Sequence, residues 1–339
     1  MVITQTPFRM SFFGGGTDYQ PFFKEYGGSI ISTTFDKYCF VIVKHLPRFF
    51  NYKNQVCYRV IERTNTVDEI KHPAVRNAMK MLDMHEIHLT YDSDLPARSG
   101  LGSSSSFAVG LLNGFYALKG KYVSKERLAK DAIYLERELC DESGGWQDQI
   151  AAAYGGLNRI DFHGDEFTVN PIVISKERKQ ILNEHLMLFF TGFTRLSSDI
   201  AAEQVKATHD KTAELKEMLK LVDDGENILT SKSDIREFGR LLDYTWRLKR
   251  GITSKISNNT IDGIYSKALE SGAIGGKLMG AGGGGFLMLF AEPEKQPNVK
   301  KALEDLLYVP FEFEDDGSKI MYYKQEDFEL STAAGRKIK

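Results

Sequence analysis

An α+β protein of about two domains is the fold class that the sequence predicts, and three observations lead to it. The chain has 339 residues, and an ordinary domain holds ~150. Hydrophobic residues make up 42% and charged residues 27%, the balance of a globular protein with a sizeable core. Strand-like and helix-like segments are mixed along the chain, and a polar stretch at 175–185 separates its halves. We therefore expect one domain at 1–180 and a second at 181–339.

The elements of the first half follow from local composition. Residues 2–13 favour a strand interrupted at Pro7, and the β-branched and aromatic residues of 29–44 favour one or two strands, a pattern that continues at 56–64. Apolar residues at helical spacing predict a helix over 72–84. Ser124 suits the N-cap of a helix that runs to about residue 140. The remaining expectations are a strand at 87–91, an apolar helix at 103–118, a segment at 146–154, and strands at 157–162 and 167–174.

The second half begins with a continuous apolar run at 186–191, which is typical of a buried strand. Two long polar helices are expected at about 198–223 and 231–250, where charges spaced four residues apart predict a mostly solvated face. The last stretch predicts a helix at 261–271, a strand at 285–290, a helix at 295–306, and strands at 308–313 and 319–324.

Bulk properties exclude several classes of function. A formal net charge of −2 gives no reason to expect nucleic acid as a partner. No run of ~18 apolar residues suggests a membrane-spanning helix, and the first residues lack the pattern of a secretory signal. Three scattered cysteines fit a reduced, cytoplasmic protein better than a disulfide framework. Oligomeric state is not readable from the sequence.

Glycine clusters are the most informative motifs. The first glycine cluster is Gly14–Gly16, which Thr17 and Asp18 follow; the second spans 94–106 (DLPARSGLGSSSS) before an apolar helix; the third spans 280–285 (GAGGGG) before a strand. Glycine lets backbone approach a ligand closely, and a helix N-terminus favours phosphate. Serine hydroxyls in the second cluster suit phosphate oxygens or Mg²⁺. The alternatives are a flexible linker, a tight turn, and an Asx turn at Asp18.

Together the clusters resemble the motifs of the GHMP kinase superfamily, in the family's order and across nearly the whole chain. PARSGLGSSSS at 96–106 resembles the family's phosphate loop, and KLMGAGGGGF at 277–286 resembles its third motif. PFRMSFFGGGTDY at 7–19 is similar to the first motif of galactokinases, but Gly15 and Gly16 replace a Glu-His pair. The Gly-Gly-Gly-Thr-Asp version is similar to D-glycero-D-manno-heptose 7-phosphate kinases and, more distantly, to fucokinase domains. The serine run and the segment at 191–201 also resemble the heptose-phosphate kinases.

The resemblance implies a fold and a reaction. The fold would be an N-terminal domain like the second domain of ribosomal protein S5 and a ferredoxin-like C-terminal domain, with the active site between them. The reaction would be ATP- and Mg²⁺-dependent phosphorylation of the anomeric hydroxyl of a small-molecule sugar phosphate, most similar to heptose 7-phosphate, in the synthesis of nucleotide-activated heptose for surface glycans. The alternatives are a fucokinase-like or other sugar 1-kinase, a non-catalytic sugar sensor, and an isoprenoid kinase or decarboxylase of the same superfamily.

It also implies roles for individual residues. Asp148 would accept the proton of the sugar hydroxyl, and Arg9 would hold Asp148 ionised or stabilise charge on the transferred group, a structural ion pair being the alternative. Ser104 and Glu136 would hold Mg²⁺, although Glu138 is adjacent and would serve as well by composition. The predicted nucleotide-binding residues are Pro96, Arg98, Gly100, Leu101, Gly102, Ser103, Ser104 and Ser105. The predicted substrate-binding residues are Gly14, Gly15, Gly16, Thr17, Asp18, Arg195, Gly280, Gly282 and Gly283, with Lys24 as a second candidate for a substrate phosphate.

Overall fold

The computed structural model describes residues 1–47, 49–97, 99–192 and 197–325, with the side chains of 197–199 excluded. Its strands are β1 (Val2–Phe13), β2 (Gly28–His45), β3 (Asn54–Cys57), β4 (Ile61–Thr64), β5 (Ile87–Ser93), β6 (Asn158–His163), β7 (Glu166–Pro171), β8 (Leu186–Phe190), β9 (Ala273–Leu278), β10 (Phe286–Ala291), β11 (Leu307–Tyr308), β12 (Phe313–Glu314) and β13 (Lys319–Tyr323). Its helices are α1 (Gln20–Tyr26), α2 (Pro73–Met81), α3 (Ser103–Leu118), α4 (Lys125–Tyr134), α5 (Gln147–Tyr154), α6 (Lys176–His185), α7 (Ser197–Ala207), α8 (Thr212–Thr230), α9 (Arg236–Arg250), α10 (Asn259–Glu270) and α11 (Gln296–Ala302). A π-helical turn, Leu135–Leu139, follows α4 directly.

A nine-stranded sheet forms the larger layer of the described chain. Its main path is β13-β1-β2-β5-β3-β4, with β6 and β12 also paired to β2 and β7 paired to β6. Strand β2 is 18 residues long and pairs antiparallel with β1 along most of its length. Helix α3 packs on β1 and β2 beneath α4 and α5, so it is covered on both sides. That placement explains why α3 is apolar around its circumference rather than along one stripe.

A smaller antiparallel sheet has the order β11-β8-β10-β9. Every residue of β10 is buried, as expected of a strand covered on both faces. Helix α9 packs against β9, and a second hydrophobic cluster forms here around Trp246, separate from the cluster under the large sheet. In the part of the chain that the structure describes, no helix has the length and apolar character needed to cross a bilayer.

Several predicted elements are confirmed where the local signal is strong. Helix α3 coincides with the prediction at 103–118, and β8 lies in the apolar run at 186–191. The hydroxyl of Ser124 accepts a hydrogen bond from the backbone N–H of Arg127 and so caps α4, as predicted. The segment at 29–44 forms one long strand, β2.

Other predicted boundaries are wrong, and each has a physical reason. The helix that begins after Ser124 ends at Tyr134, because the next residues take up the π-helical turn. The strand at 56–64 is a hairpin of β3 and β4, and the helix at 198–223 is divided between α7 and α8. Helix α6 occupies the polar stretch at 175–185, with the Ser175 hydroxyl as its N-cap.

Strand β9 was not expected because glycine is uncommon inside strands. A Cβ atom on Gly275 would lie 2.0 Å from the carbonyl oxygen of Gly239 in α9. The glycine is therefore required by the close approach of the helix to the strand. The division at residues 180 and 181 stays a prediction, but the pairing shows that β12 and β13 return to the large sheet and join β2 and β1.

Candidate active site

A cavity of about 310 Å³ lies between the large sheet and helices α7 and α9. Its wall includes Gly15 and Gly16 of the first glycine cluster, Gly100 and Gly102 of the second, and Gly280 of the third. Motifs up to 265 positions apart in sequence therefore meet at one place. The π-helical turn, the loop after it and α5 complete the wall on the side of the large sheet.

Arg9 and Asp148 form a bidentate ion pair on this wall. Arg9 donates from Nε to Oδ1 and from Nη2 to Oδ2 of Asp148, both at 2.8 Å, and from Nη1 to the carbonyl oxygen of Gly100 at 2.8 Å. The Arg9 side chain is 4% exposed and the Asp148 side chain 24%. Gly102 has a φ of +78°, and a Cβ there would lie 3.3 Å from Arg9 Cγ. The pair fixes the orientation of the carboxylate while one side of it faces the cavity.

Asp18 lies beside that pair and is fully buried. Its Oδ1 accepts a hydrogen bond from the backbone N–H of Gly16 at 3.0 Å, whereas its Oδ2 has no partner among the described residues. Burial, and then the negative charge of Asp148, raises the pKa of Asp18. A Cβ on Gly145 would lie 1.7 Å from Asp18 Oδ2, so only glycine fits opposite this carboxyl group. The unpartnered oxygen is suited to accept a hydrogen bond from a ligand hydroxyl.

The second glycine cluster leads into the N-terminus of α3. Gly102 is the N-cap in a left-handed conformation, and the first backbone N–H groups of a helix have no partner within it. Ser103, Ser104 and Ser105 line the cavity at this end. The hydroxyl of Ser105 is already used, since it donates to Glu136 Oε2 at 2.6 Å. Ser104 is exposed to the cavity, at the end of the helix dipole that attracts anions.

Two carboxylates face this helix end. Glu136, in the π-helical turn, is buried and accepts hydrogen bonds from Ser105 and from the side-chain amide of Gln149. Glu142 lines the same wall, and its pKa is raised by burial and then by the negative charge of Glu136, while a hydrogen bond from Ser104 acts in the opposite direction. Carboxylate and hydroxyl oxygens so placed suit a hard divalent cation, which would relieve the repulsion between the two glutamates.

Lys249 is a cavity residue that sequence reasoning missed. It lies in the last turn of α9, where the charge pattern predicted a solvated face, yet it is 4% exposed. Its Nζ donates to the carbonyl oxygen of Gly280 at 2.5 Å. Burial, followed by the nearby charge of Arg9, lowers the pKa of Lys249 to about 8, while Asp18 and Asp148 counteract this. Helical spacing does carry a signal, since Lys249 follows the buried Trp246 by three residues and the buried Leu242 by seven, whereas its exposed neighbour Arg247 falls on the charged face.

Many of the predicted site residues lie on the cavity wall: Arg9, Gly15, Gly16, Asp18, Gly100, Gly102, Ser103, Ser104, Ser105, Glu136, Asp148 and Gly280. Their roles stay predictions. Arg98 and Arg195 lie outside the described residues. Lys24, the second candidate for a substrate phosphate, instead pairs with Asp165 at 2.8 Å in an exposed ion pair away from the cavity.

Six further predicted residues do not line this cavity, and their binding roles stay predictions: Gly14, Thr17, Pro96, Leu101, Gly282 and Gly283. The Thr17 hydroxyl donates to the carbonyl oxygens of Gly14 and Ser29, so it closes the loop instead of facing a ligand. Leu101 belongs to the core, and Pro96 is exposed.

Close packing accounts for the glycines in that group. A Cβ on Gly14 would lie 1.9 Å from the carbonyl oxygen of Ser29, and one on Gly282 would lie 2.8 Å from the Cα of Ile256. The backbone N–H of Gly283 donates to the carbonyl oxygen of Ile256 at 2.9 Å. These positions shape the loops that bring the other glycines to the cavity.

Comparison with known proteins gives consistent matches over most of the chain. The profile of the GHMP kinases N terminal domain matches residues 65–156, and that of the GHMP kinases C terminal domain matches residues 226–309. The chain is 31% identical over 333 residues to a D-glycero-alpha-D-manno-heptose 7-phosphate kinase from Campylobacter jejuni subsp. jejuni serotype O:2, covering 93% of this chain and 97% of that protein.

Two further matches widen the comparison. The chain is 30% identical over 223 residues to a bifunctional fucokinase/GDP-fucose pyrophosphorylase from Arabidopsis thaliana, covering 63% of this chain and 21% of that protein. The crystal structure of a D-glycero-D-manno-heptose 1-phosphate kinase from Bacteroides thetaiotaomicron superposes with a TM-score of 0.78 at 24% identity, covering 96% of this chain and 100% of that one. The shared architecture confirms the predicted α+β, two-domain fold class.

Proposed function

Because the chain belongs to the GHMP kinase family, we propose that it transfers the γ-phosphoryl group of ATP to the anomeric hydroxyl of D-glycero-D-manno-heptose 7-phosphate. The product would be the 1,7-bisphosphate, made in the cytoplasm for the synthesis of nucleotide-activated heptose. The observation that carries this proposal is the partly buried Arg9–Asp148 pair on the wall of a cavity that all three glycine clusters line. The 31% identity to a heptose 7-phosphate kinase supports the choice of sugar.

In the proposed reaction Asp148 accepts the proton of the sugar hydroxyl. As that proton leaves, the hydroxyl oxygen forms a bond to the γ-phosphorus, and the bond between this phosphorus and the oxygen of the departing ADP breaks. Arg9 holds the Asp148 carboxylate in a fixed orientation through two parallel hydrogen bonds. Backbone N–H groups at the start of α3 hold the nucleotide phosphates. Such positioning is the main contribution of a protein to phosphoryl transfer.

The donors near the start of α3 fit the Mg²⁺ ion that the family implies. The Ser104 hydroxyl and the Glu136 carboxylate would hold it, and Glu142 lies close enough to Glu136 for like-charge repulsion that a cation would relieve. When bound, Mg²⁺ neutralises charge on the nucleotide phosphates. Gln149 and Ser105 orient Glu136 by donating to the same oxygen, Oε2.

Sugar recognition is assigned to the first glycine cluster. Asp18 Oδ2 is the acceptor for a sugar hydroxyl, and Gly15 and Gly16 leave room on the wall where larger side chains would stand. Arg195 remains our candidate for the 7-phosphate, because guanidinium is the better bidentate partner of phosphate.

A fucokinase-like activity is the second candidate, because the chain is also similar to the bifunctional fucokinase over 63% of its length. We would measure ADP release from purified protein and ATP with heptose 7-phosphate, fucose, galactose or mevalonate. The proposal predicts a kcat/KM at least about 100-fold higher for heptose 7-phosphate, corresponding to about 2.7 kcal/mol of discrimination. A higher kcat/KM with fucose would favour the second candidate. ATP binding without turnover of any compound would favour the sensor alternative.

Asp148→Asn is the matched control for this panel. The substitution keeps the size of the side chain and removes the proton acceptor, so turnover should fall by about 10²–10⁴-fold while ATP binding persists. Unchanged turnover would contradict the assignment of Asp148.

A further inference from the structure

We propose that Lys249 is the cation that contacts the phosphoryl group as it passes from the nucleotide to the sugar. This inference rests on the proposed function and adds to it a residue that none of the motifs contains. Lys249 lines the cavity from the side of α9, opposite the large sheet.

The first argument is where Lys249 is anchored. Its Nζ donates to the carbonyl oxygen of Gly280, in the third glycine cluster. Gly280 packs directly against the second cluster, since a Cβ on Gly280 would lie 2.5 Å from the Cα of Gly100. Arg9 in turn donates to the carbonyl oxygen of Gly100. Lys249 and Arg9 are thus fixed to two adjoining loops, at the junction between the phosphate-binding end of the cavity and Asp148.

The second argument is which buried cation on the wall has no anionic partner among the described residues. Of the residues that the structure describes, Arg9, Arg137 and Lys249 are the cations on the cavity wall. Arg9 uses three N–H groups on Asp148 and Gly100, and Arg137 uses three on the carbonyl oxygens of Glu142 and Gly145.

Lys249 differs from Arg9, which is paired to the Asp148 carboxylate, and from Arg137, which is only half-buried. Its ammonium group has three N–H donors, and one acceptor, Gly280, is found for it among the described residues. No ion pair is found for the Lys249 ammonium among the described residues, and its one hydrogen bond there is to Gly280. A buried ammonium without a counter-ion is costly, and an anionic ligand in the cavity would supply one.

The third argument comes from the charges that face Lys249. These are Arg9 from β1, Asp18 from the loop after β1, Asp148 from α5 and Lys277 from β9. Asp148 is paired to Arg9, and Lys277 lies off the cavity wall with its ammonium on the carbonyl oxygens of Ser11 and Phe12. Among the described residues, Lys249 is therefore the cation best placed to interact with negative charge that enters the cavity.

The role is electrostatic and moves no proton. During transfer the bond between phosphorus and the ADP oxygen breaks, the bond to the anomeric oxygen forms, and the hydroxyl proton passes to Asp148. The unused N–H groups of Lys249 donate to non-bridging oxygens of the moving phosphoryl group. Because these hydrogen bonds strengthen as the group moves away from ADP, they lower the barrier more than they tighten substrate binding.

Lys249→Met tests the proposal, because methionine keeps most of the length of the side chain and removes its charge. We expect kcat to fall by about 10²–10³-fold, as for the loss of one preorganised donor, with the KM for the sugar within about threefold of its original value. Lys249→Arg should recover part of kcat. Arg247→Met, in the same helical turn but exposed, is the matched control and should leave kcat unchanged. An unchanged kcat, or a raised sugar KM at constant kcat, would overturn the proposal.

A second measurement does not depend on the sugar. In protein labelled with ¹³C-lysine, NMR titration would follow Lys249, with the Lys249→Arg variant used for assignment. A non-hydrolysable ATP analogue should raise the pKa of Lys249 from about 8, because its γ-phosphoryl group contacts the ammonium, whereas ADP should not. Equal effects of the two nucleotides would refute the contact. If the unmodified protein phosphorylates none of the sugars, the proposed function fails while this titration still decides the inference.

Discussion

Arg9 and Asp148 stand 139 positions apart in sequence and meet through two parallel hydrogen bonds of 2.8 Å. The first residue lies in β1 and the second in the first turn of α5, so the pair joins the central sheet to a helix that packs over it. The third hydrogen bond of Arg9, to Gly100, extends the connection to the second glycine cluster. One guanidinium thereby fixes the position of the proposed proton acceptor relative to the proposed phosphate loop.

Substitutions of Arg9 should separate its charge from its geometry. Arg9→Lys keeps the positive charge but cannot make two parallel hydrogen bonds to one carboxylate, so we expect kcat to fall by about tenfold. Arg9→Met removes both charge and hydrogen bonds, and about a 100-fold loss is expected. Steady-state rates at saturating ATP and sugar would measure both. Equal rates for Arg9→Lys and the unmodified protein would show that the bidentate geometry is dispensable.

We expect Asp18 to lower the stability of the folded protein and to bind the sugar. Its folded-state pKa is raised above 3.8, so the folded protein favours the neutral carboxyl group and loses stability as pH rises from 3.8 through the folded-state pKa. Asp18→Asn removes that loss, and we expect its Tm at pH 7.5 to be a few degrees higher. The KM for the sugar should rise at least about tenfold, because the amide places an N–H group where a hydroxyl would donate.

Calorimetry and steady-state kinetics on the same preparation test both effects of Asp18→Asn. A lower Tm together with an unchanged sugar KM would indicate that Asp18 serves the loop alone.

Gly145→Ala should act on the sugar site through Asp18. The added Cβ would lie 1.7 Å from Asp18 Oδ2 and 2.9 Å from the Asp18 carbonyl oxygen, so the carboxyl group must move. We expect the sugar KM to rise by about tenfold or more while the ATP KM stays within about twofold, since a small misplacement of a positioning group has large effects. Gly263→Ala is the control, because nothing lies within 4 Å of a Cβ there and alanine favours the helix. A sugar KM that responds equally to both substitutions would refute this argument.

Glu136→Gln should change the dependence on Mg²⁺. Loss of one carboxylate ligand weakens a site for a hard cation, so we expect half-maximal activity at about tenfold higher Mg²⁺. The neighbouring Glu138→Gln, the alternative that composition allowed, should have no such effect, because it is Glu136 that lines the cavity. A Mg²⁺ titration of activity for the two variants decides between them, and a larger effect of Glu138→Gln would reverse the assignment.

The sequence predicted best what depends on local pattern. The apolar run of α3, the buried strand β8 and the Ser124 cap were all readable, because periodicity and capping act within a few residues. The family motifs also identified the glycine clusters that line the cavity. The π-helical turn that carries Glu136 could not be predicted, because no local sequence signal marks the extra residue in this turn.

Features set by tertiary packing could not be predicted. Helical spacing places Lys249 on the apolar face of α9, but what its ammonium contacts depends on how α9 packs on β9 and adjoins the third glycine cluster. Thr17 matches its family motif, yet its hydroxyl closes the loop through Gly14 and Ser29. The motifs therefore identified the segments that surround the cavity, whereas only the packed structure shows which of their side chains face it.

The position of the new phosphate tests the central claim most directly. Purified protein would be incubated with ATP, Mg²⁺ and D-glycero-D-manno-heptose 7-phosphate, and the product examined by ³¹P NMR with proton coupling. We expect a second phosphorus signal that is coupled to the anomeric proton and grows at the rate at which ADP is released. The Asp148→Asn variant should not produce this signal. A signal coupled to the proton of any other carbon, or ADP release without a new phosphate ester, would contradict the assignment of this protein as a sugar 1-kinase.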